Sequence, residues 1–258
     1  MELYQVDAFT DKMFHGNPAA VIVLESWPDD TLMQSIGAEN NLAETAFVVP
    51  EGNGYRIRWF TPAVEVDLCG HATLAAAWVI FYELKYDQPK IFFQSRSGIL
   101  TVSRDEDWLT LDFPADKLRP IQVTQAMQKC TSANILEAYE GRSDFMFVLA
   151  DQTAVRESHF DLLAIQALGN RGVIVTSEGH DADFVSRFFA PAYGINEDPV
   201  TGSAHTTLTP YWSHRFNKSK LIARQVSARG GYLKCELRGD RVLISGQAVK
   251  YMQGTIQF

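Results

Sequence analysis

The sequence predicts an α+β protein of two pseudo-symmetric domains, each a mostly antiparallel sheet or barrel around one central helix. Three observations predict this fold class. Several sequence blocks occur twice in the same order. Strand-like runs rich in Val, Ile, Phe and Thr are bounded by Gly, Pro, Asp and Asn. Each half also contains one long apolar helix. A chain of 258 residues is long enough for two domains with their own cores.

The internal repeat is the strongest of these signals. Residues 58–62 (RWFTP) are matched by 187–191 (RFFAP), and 67–72 (DLCGHA) by 198–205 (DPVTGSAH). Strand-like flanks recur as well, at 20–24 and 145–149, at 45–49 and 172–176, and at 94–100 and 225–233. Such a long period lies outside the range of solenoid repeats and indicates a duplicated domain.

The elements follow the same plan in both halves. Strands are predicted at 55–60 and 109–113, central helices at 71–84 and 203–216, and shorter outer helices at 30–36 and 160–169. The apolar run after residue 71 is hydrophobic nearly all round, which is typical of a buried helix. Proline and charged residues between 113 and 121 predict a boundary. We therefore expect domains at 1–113 and 114–258, with the last strand a candidate to return to the first.

Composition excludes several functional classes. The net charge of −8 opposes binding to nucleic acids. Cys69, Cys130 and Cys235 are too few and too scattered for a disulfide framework, so a reducing compartment is expected. The N-terminus has no signal-peptide pattern, and no apolar run is long enough to cross a membrane. These features together predict a cytoplasmic protein without membrane contact.

Both central helices are predicted to start at a glycine, Gly70 and Gly202. A helix N-terminus has unpaired N–H groups and a partial positive charge, and glycine lets a ligand approach the backbone closely. Each start can therefore bind a carboxylate. The alternative is ordinary helix capping by Thr201 or Ser203. Because two matched copies occur, we favour a ligand site, with both starts facing one inter-domain cleft.

Three side chains are candidates for moving or orienting a proton. Glu44 directly precedes an apolar strand, where partial desolvation would raise its carboxyl pKa as acid/base catalysis requires. The alternative is a solvated glutamate at a loop end, which the local sequence alone favours. His71 lies in the first helical turn and is expected to be neutral; the alternative is a packed histidine. Asp198 precedes the second helix, where a cap or turn is the alternative.

Cys69 is a further candidate, because a helix N-terminus lowers the pKa of a thiol. A two-thiol racemase would need a second cysteine at the matching position, which holds Thr201. We therefore interpret Cys69 as a small buried residue. The sequence has no dinucleotide fingerprint, P-loop or HExxH motif, and its histidines are not at metal-ligand spacing. No cofactor and no metal are predicted.

Several long motifs resemble those of the PhzF family, named for an isomerase of phenazine biosynthesis, over essentially the whole chain. They are 6–10 (VDAFT), 16–21 (GNPAAV), 41–47 (NLAETAF), 58–62 (RWFTP), 67–75 (DLCGHATLA) and 197–205 (EDPVTGSAH). The resemblance implies a diaminopimelate-epimerase-like fold, isomerase chemistry without a cofactor, and a homodimer. It places the catalytic glutamate on Glu44 and the substrate-binding residues on Gly70, His71, Asp198, Gly202 and Ser203.

The leading hypothesis is therefore a cofactor-independent isomerase that moves a proton on a small carboxylate-bearing metabolite. Glu44 would act as general acid/base, and the two helix starts would hold the substrate. One alternative is a thiol-dependent racemase or epimerase that uses Cys69. The other is a catalytically silent module that binds a metabolite or a protein.

Overall fold

The computed structural model describes residues 1–257, which divide into two compact units. The first unit consists of Met1–Asp112 together with the C-terminal segment from Ser245 onward, and the second consists of Phe113–Ile244. The last strand of the chain is therefore part of the first unit. No helix among the described residues is long and apolar enough to cross a lipid bilayer.

The first unit contains most of the longer strands and one of the two central helices. Its elements are β1 (Glu2–Ala8), β2 (Asn17–Val23), α1 (Asp30–Asn40), β3 (Glu44–Glu51), β4 (Gly54–Phe60), β5 (Glu65–Val66), α2 (Gly70–Trp78), a π-helical turn (Val79–Glu83), β6 (Lys90–Ser95), β7 (Gly98–Asp105) and β8 (Trp108–Pro114), whose last residues belong to the second unit.

The second unit is built from a similar series, which ends where the chain returns to the first unit. The elements are β9 (Arg119–Ile121), α3 (Gln125–Gln128), β10 (Glu137–Glu140), β11 (Asp144–Val148), α4 (Gln152–Glu157), α5 (Leu162–Ala167), β12 (Gly172–Glu178), β13 (Phe184–Phe189), a 3₁₀ turn (Pro191–Tyr193), α6 (Gly202–Phe216), β14 (Lys220–Gln225), β15 (Gly231–Arg238) and β16 (Arg241–Gly246); β17 (Ala248–Thr255) follows in the first unit.

Strand pairing repeats from one unit to the other. In the first unit β17–β1–β2 is antiparallel, β2–β3 parallel, β3–β4 antiparallel, β4–β6 parallel and β6–β7 antiparallel. In the second unit β9–β10–β11, β11–β12, β12–β13, β13–β14 and β14–β15 follow the same series of directions. This shared topology confirms the α+β class. Each series also contains two parallel pairs, so the sheets are mixed.

The α2 helix has the buried character that its apolar sequence predicts, whereas α6 exposes His214 and Arg215 in its last turn. Residues 71–77 of α2 are all buried, and the helix continues beyond Trp78 as the π-helical turn instead of reaching residue 84 as one α-helix. The α6 helix begins one residue before the predicted start at 203. Each helix packs on strands of its own unit, α2 on β1, β2 and β3 and α6 on β14 and β15, and burial of their apolar side chains there stabilises them.

The outer helices pack on strands of their own units, α1 on β3 and β4 and α5 on β12. In α1, Met33 and Ile36 pack with Leu3, Phe47 and Phe60. This helix runs beyond the predicted end at 36, to Asn40, because the left-handed residue that ends it is Asn41. The α5 helix is shorter than the predicted 160–169, since the side chain of Asp161 caps its start.

Candidate active site

The position of Glu44 is determined by a parallel strand pair. Glu44 is the first residue of β3 and lies opposite Ala19 of β2, whose own first residue is Asn17. Because the two strands are parallel, their N-terminal ends lie at the same edge of the sheet. Glu44 is only 8% exposed, so it is not the solvated loop-end glutamate that its local sequence favoured.

His71 is the second residue of α2 and faces Glu44. Its Nε2 atom lies 3.2 Å from Oε2 of Glu44, and both side chains are buried. Burial lowers the pKa of His71 to about 3, so the imidazole is neutral at neutral pH. In this structure Nε2 has no hydrogen bond of good geometry. Catalytic hydrogen bonds are often long or misaligned before a ligand binds, so this contact suits a resting site.

The other ring nitrogen of His71 contacts Asn17. Asn17 Nδ2 lies 3.1 Å from Nδ1, and the asparagine is fully buried. With the amide in this orientation, Asn17 donates and Nδ1 accepts, so the proton of the neutral imidazole is on Nε2. That nitrogen is the one that lies 3.2 Å from Oε2 of the Glu44 carboxylate. The preceding Gly16 has φ +64°, and a Cβ there would lie 2.2 Å from the carbonyl oxygen of Ala8, so the turn requires glycine.

Cys69 completes a buried cluster around His71. Its Sγ lies 3.5 Å from His71 Nδ1, and the residue is the N-cap of α2. One ligand-type atom each from Glu44, Cys69 and His71 lies within 4.8 Å of the other two. The corresponding N-cap of α6 is Thr201, whose hydroxyl donates to Asp198 at 2.5 Å. A matched pair of thiols is therefore not formed by these two N-caps.

The starts of both central helices lack side-chain caps. Neither Cys69 nor Thr201 accepts a hydrogen bond from the first turn of its helix through its side chain. The capping alternative considered for Thr201 is therefore wrong at that residue, because its hydroxyl is directed to Asp198 instead. Ser203 does not cap the helix either, since it is the second residue of α6 and its Oγ accepts from Arg171 at 3.1 Å. The N-termini at Gly70 and Gly202 keep the partial positive charge that attracts anions.

Asp198 is held in a buried network with Thr201 and Gln225. The Gln225 side chain accepts from the Thr201 N–H at 2.9 Å and donates to the Asp198 carbonyl at 2.7 Å. It also approaches the Thr201 hydroxyl at 3.1 Å. Asp198 and Gln225 are 7% and 1% exposed. The segment that enters α6 is therefore fixed by hydrogen bonds from β14, and the Asp198 carboxylate is held in one orientation.

The first turn of α6 also contacts a cation. The Arg171 guanidinium donates to both carboxylate oxygens of Asp144 and to the hydroxyl of Ser203, and it lies over the ring of Phe188. Bidentate arginine–carboxylate pairs are rigid and specific. Since Ser203 accepts from Arg171, its own hydroxyl proton is directed elsewhere, and the serine can act as a donor.

The repeated topology identifies the counterpart of each site residue in the other unit. Thr45 and Val173 are equivalent by strand register. Their matching partners are Ala20 and Phe60 for Thr45, and Phe145 and Phe189 for Val173. The position equivalent to Glu44 is therefore Gly172, one residue away from the alignment that the sequence blocks indicated. The acid/base candidate has no carboxylate at its equivalent position.

The starts of α2 and α6 both lack a side-chain cap, and they share one further feature. Three residues after each starting glycine, a side chain contacts the N-cap carbonyl. Thr73 Oγ1 donates to the Cys69 carbonyl at 2.5 Å, and His205 Nδ1 lies 2.8 Å from the Thr201 carbonyl oxygen. His205 is fully buried, and burial lowers its pKa to about 4. The last residue of the second motif is therefore a packed, neutral histidine that supports the helix start.

The sequence is similar over nearly its whole length to a known protein family. Residues 6–254 match the family of phenazine biosynthesis-like proteins known as PhzC-PhzF. The chain belongs to the PhzF family. Two Pseudomonas aeruginosa proteins named as isomerases are 48% and 51% identical to it, over 99% and 100% of this chain and 98% of their own lengths. The resemblance predicted from the motifs is thus confirmed, and the chain is a PhzF-like isomerase.

Solved structures agree with this assignment. A PhzF family protein from Enterococcus faecalis superimposes with a TM-score of 0.98 at 48% identity, over 100% of this chain and 99% of its own. A hydroxyproline epimerase from Agrobacterium vitis has a TM-score of 0.64 at 11% identity, over 98% of this chain and 91% of its own. This second likeness shows the fold alone. It confirms that the PhzF-family chain has an epimerase-like fold.

The sequence identified some of the candidate site residues in each unit and missed others. In the first unit, Glu44, Gly70 and His71 lie together, and in the second, Asp198, Gly202 and Ser203 lie around the start of α6. Sequence reasoning missed Asn17, Arg171 and Gln225. A signal existed for two of them. Asn17 lies within the 16–21 motif, and Arg171 directly precedes a repeated strand.

Proposed function

We propose that this PhzF-family isomerase transfers a proton within a small carboxylate-bearing metabolite, without a cofactor, and that Glu44 is its general acid/base. The observation that carries the proposal is the buried Glu44 carboxylate, 3.2 Å from a neutral His71 at an uncapped helix start. Burial of a carboxyl group favours its neutral form, which brings proton uptake and release closer to neutral pH.

The Glu44–His71 contact supports different roles for the two carboxylate oxygens of Glu44. His71 Nε2 lies 3.2 Å from Oε2, so we infer that its N–H aligns with this oxygen when a ligand binds, and a hydrogen bond there makes Oε2 the poorer proton acceptor. We infer that Oε1 takes the proton from the substrate carbon and returns it to another carbon or to the opposite face. The carbon–hydrogen bond breaks as the Oε1–H bond forms, and the electron pair stays on the substrate until the proton returns. One positioned acid/base group contributes roughly 10²–10⁴-fold to the rate.

The substrate carboxylate is proposed to bind at the helix starts. Their N–H groups at Gly70 and Gly202 offer donors and a partial positive charge. Ser203, whose hydroxyl is oriented by Arg171, is proposed as a further donor. Asp198 and His71 are proposed to orient the polar groups next to the reacting carbon. The hydroxyproline epimerase of similar fold has bound trans-4-OH-L-proline, a small carboxylate, which supports this ligand class.

The test is solvent deuterium exchange. The wild-type protein is incubated in D₂O with a panel of amino and hydroxy acids, and loss of carbon-bound protons is followed by NMR. For any compound that exchanges, Glu44→Gln should slow exchange by about 10²–10⁴-fold. The matched control is Glu51→Gln, in the same strand but exposed. Exchange that persists unchanged in Glu44→Gln would refute the role of Glu44. No exchange with any compound would favour a silent binding module.

A second candidate is the thiol-dependent racemase. The observation that favours it is the 3.5 Å contact between Cys69 Sγ and His71 Nδ1 at a helix N-terminus, where thiolates are stabilised. Full exchange activity in Cys69→Ala would eliminate it, whereas loss of activity in Cys69→Ala with retention in Glu44→Gln would replace the leading proposal with it.

Assembly and location complete the proposal. We propose a homodimer, as the family resemblance implies, and light scattering coupled to size-exclusion chromatography measures its mass. We propose a cytoplasmic location because the cysteines at 69, 130 and 235, all within the described residues, are buried and form no disulfide. Fractionation of the producing cells tests that location.

A further inference from the structure

We propose that Glu44, Cys69 and His71 form a binding site for Zn²⁺ or a cation of similar softness, and that the bound ion blocks proton transfer by Glu44. The three side chains belong to one unit, and all are buried. They supply one oxygen, one sulfur and one nitrogen ligand. Three protein ligands and one open position are the usual set of an accessible zinc site.

The spacing of the ligand atoms suits a tetrahedral ion. Zinc bonds to nitrogen and oxygen at about 2.0–2.2 Å place the two ligand atoms about 3.4 Å apart at a tetrahedral angle. Glu44 Oε2 and His71 Nε2 lie 3.2 Å apart. One ligand atom of each of the three side chains lies within 4.8 Å of the other two. Cys69 Sγ lies 3.5 Å from Nδ1, the other nitrogen of the ring, so the third bond requires the thiol to turn toward an ion at Nε2.

The surroundings favour this cation over others. A thiolate and a carboxylate together carry two negative charges, which neutralise a divalent ion and reduce the cost of burying it. Cys69 is the N-cap of α2, and a helix N-terminus is a position that favours the thiolate form. On binding, a metal–sulfur bond forms, the S–H bond breaks and its proton leaves to solvent. The imidazole keeps one proton, which moves from Nε2 to Nδ1, and the Asn17 amide rotates so that its oxygen accepts from that N–H.

Donor chemistry also excludes the hard cations. Mg²⁺ requires an octahedral set of oxygen ligands, and Ca²⁺ takes six to eight oxygens. A single carboxylate beside sulfur and nitrogen offers neither. Imidazole and thiolate ligands instead select zinc and related ions. We therefore expect Zn²⁺ and Co²⁺ to bind and Mg²⁺ not to bind. This selectivity distinguishes the site from non-specific attraction of cations to an acidic protein.

The experiment measures metal binding directly. Zn²⁺ is titrated into metal-free protein by competition with a chromophoric chelator, and Co²⁺ is added separately to follow its sulfur-to-metal charge-transfer absorption. We expect one ion per chain and a cobalt–thiolate band. Cys69→Ser should abolish that band and weaken Zn²⁺ binding by at least about 10-fold, because the loss of a residue that only hydrogen-bonds to a metal ligand already costs about that much.

Matched controls are present in the same chain. Cys130→Ser and Cys235→Ser each remove a buried thiol whose pKa burial raises, to about 11 and about 12. These thiols stay protonated, so both variants should bind Zn²⁺ as the wild type does. Glu44→Gln is the second test, because it removes a ligand while leaving Cys69 in place. It should also weaken Zn²⁺ binding by about 10-fold or more.

The outcomes separate this site from the proposed reaction. Zinc affinity that is unchanged in both Cys69→Ser and Glu44→Gln, or equal binding of Mg²⁺, would overturn the metal site. Neither readout depends on a substrate, so the site can be correct even if no isomerase substrate exchanges deuterium. If a substrate is found, inhibition by Zn²⁺ that is reversed by a chelator is expected. Exchange that continues with the site saturated would refute the blocking role.

Discussion

His71 Nε2 lies 3.2 Å from Glu44 Oε2, while Nδ1 of the same ring lies 3.1 Å from the amide nitrogen of Asn17. The histidine thus connects a buried amide to a buried carboxylate. As long as the amide donates, the imidazole must present a proton to Glu44. The protonation state of Glu44 is therefore linked to the identity of a residue that contacts Glu44 only through His71. A substitution of Asn17 tests this relationship.

Asn17→Asp should reverse the imidazole tautomer. A carboxylate accepts but does not donate, so the proton would move to Nδ1 and Nε2 would present a lone pair to Glu44. Glu44 would then retain its own proton to higher pH. We expect kcat/KM to fall by at least about 10-fold, within the range of acid/base effects, and its acidic limb to move to higher pH. The pH–rate profile of an exchanging substrate measures both effects.

The control for this variant is Asn53→Asp, which makes the same change at an exposed turn residue. It should leave the profile in place. A profile of Asn17→Asp that keeps its wild-type limb while kcat/KM falls would indicate a loss of structure only. In that case the tautomer argument is wrong, whatever the change in rate.

The two buried histidines predict acid-sensitive stability. Burial lowers the pKa of His71 to about 3 and of His205 to about 4, against an ordinary value near 6.5 in the unfolded chain. Between these limits the unfolded state binds more protons, so the free energy of unfolding falls as the pH falls. Each histidine should lower the free energy of unfolding by about 2 kcal/mol between pH 7 and pH 5.

Urea unfolding at a series of pH values measures this dependence. His205→Gln should remove about half of the loss between pH 7 and pH 5, because one of the two titrating groups is gone. A variant that loses stability equally at all pH values has only lost packing. If stability is flat between pH 7 and pH 5 in the wild type, the neutral buried state assigned to His71 and His205 is incorrect.

Local sequence predicts some of the candidate site residues but not the contacts that join them. The starts of α2 and α6 were visible because glycine and the apolar runs that follow them are local signals. The repeat also made their equivalence visible. The contact between Arg171 and Ser203 was not visible, since it joins the end of one loop to a helix distant in sequence. Strand register, which corrected the counterpart of Glu44 to Gly172, likewise depends on hydrogen bonds that no local pattern records.

Gln225 should be required for the start of α6. Gln225→Met keeps the approximate size of the side chain but leaves the Thr201 N–H and the Asp198 carbonyl without this partner. Each buried group that loses its hydrogen bond costs about 1–3 kcal/mol. We expect a matching fall in the free energy of urea unfolding and a raised KM for an exchanging substrate. Gln253→Met, at an exposed position of β17, should change neither.

The Arg171–Asp144 pair provides the strongest electrostatic prediction. Asp144 is 5% exposed at its side chain and Arg171 is 32% exposed, so Arg171→Met leaves a buried carboxylate without its cation. Breaking a buried pair costs about 3–5 kcal/mol, and partial exposure of Arg171 places the expected loss at the lower end. Arg171→Met with Asp144→Asn should recover part of that loss, because the uncompensated charge is removed. A double-mutant cycle in urea unfolding measures the coupling.

The matched pair for comparison is Arg119 and Glu140, which is exposed in the same unit. Arg119→Met should cost about 0–1 kcal/mol, as exposed ion pairs do. Arg171→Met should also raise the KM of an exchanging substrate, since Ser203 loses the donor that orients its hydroxyl. Equal stability losses in the two arginine variants would show that Arg171–Asp144 behaves as a surface pair. An unchanged KM would show that Ser203 does not depend on Arg171, and the role assigned to that guanidinium at the start of α6 would have to be withdrawn.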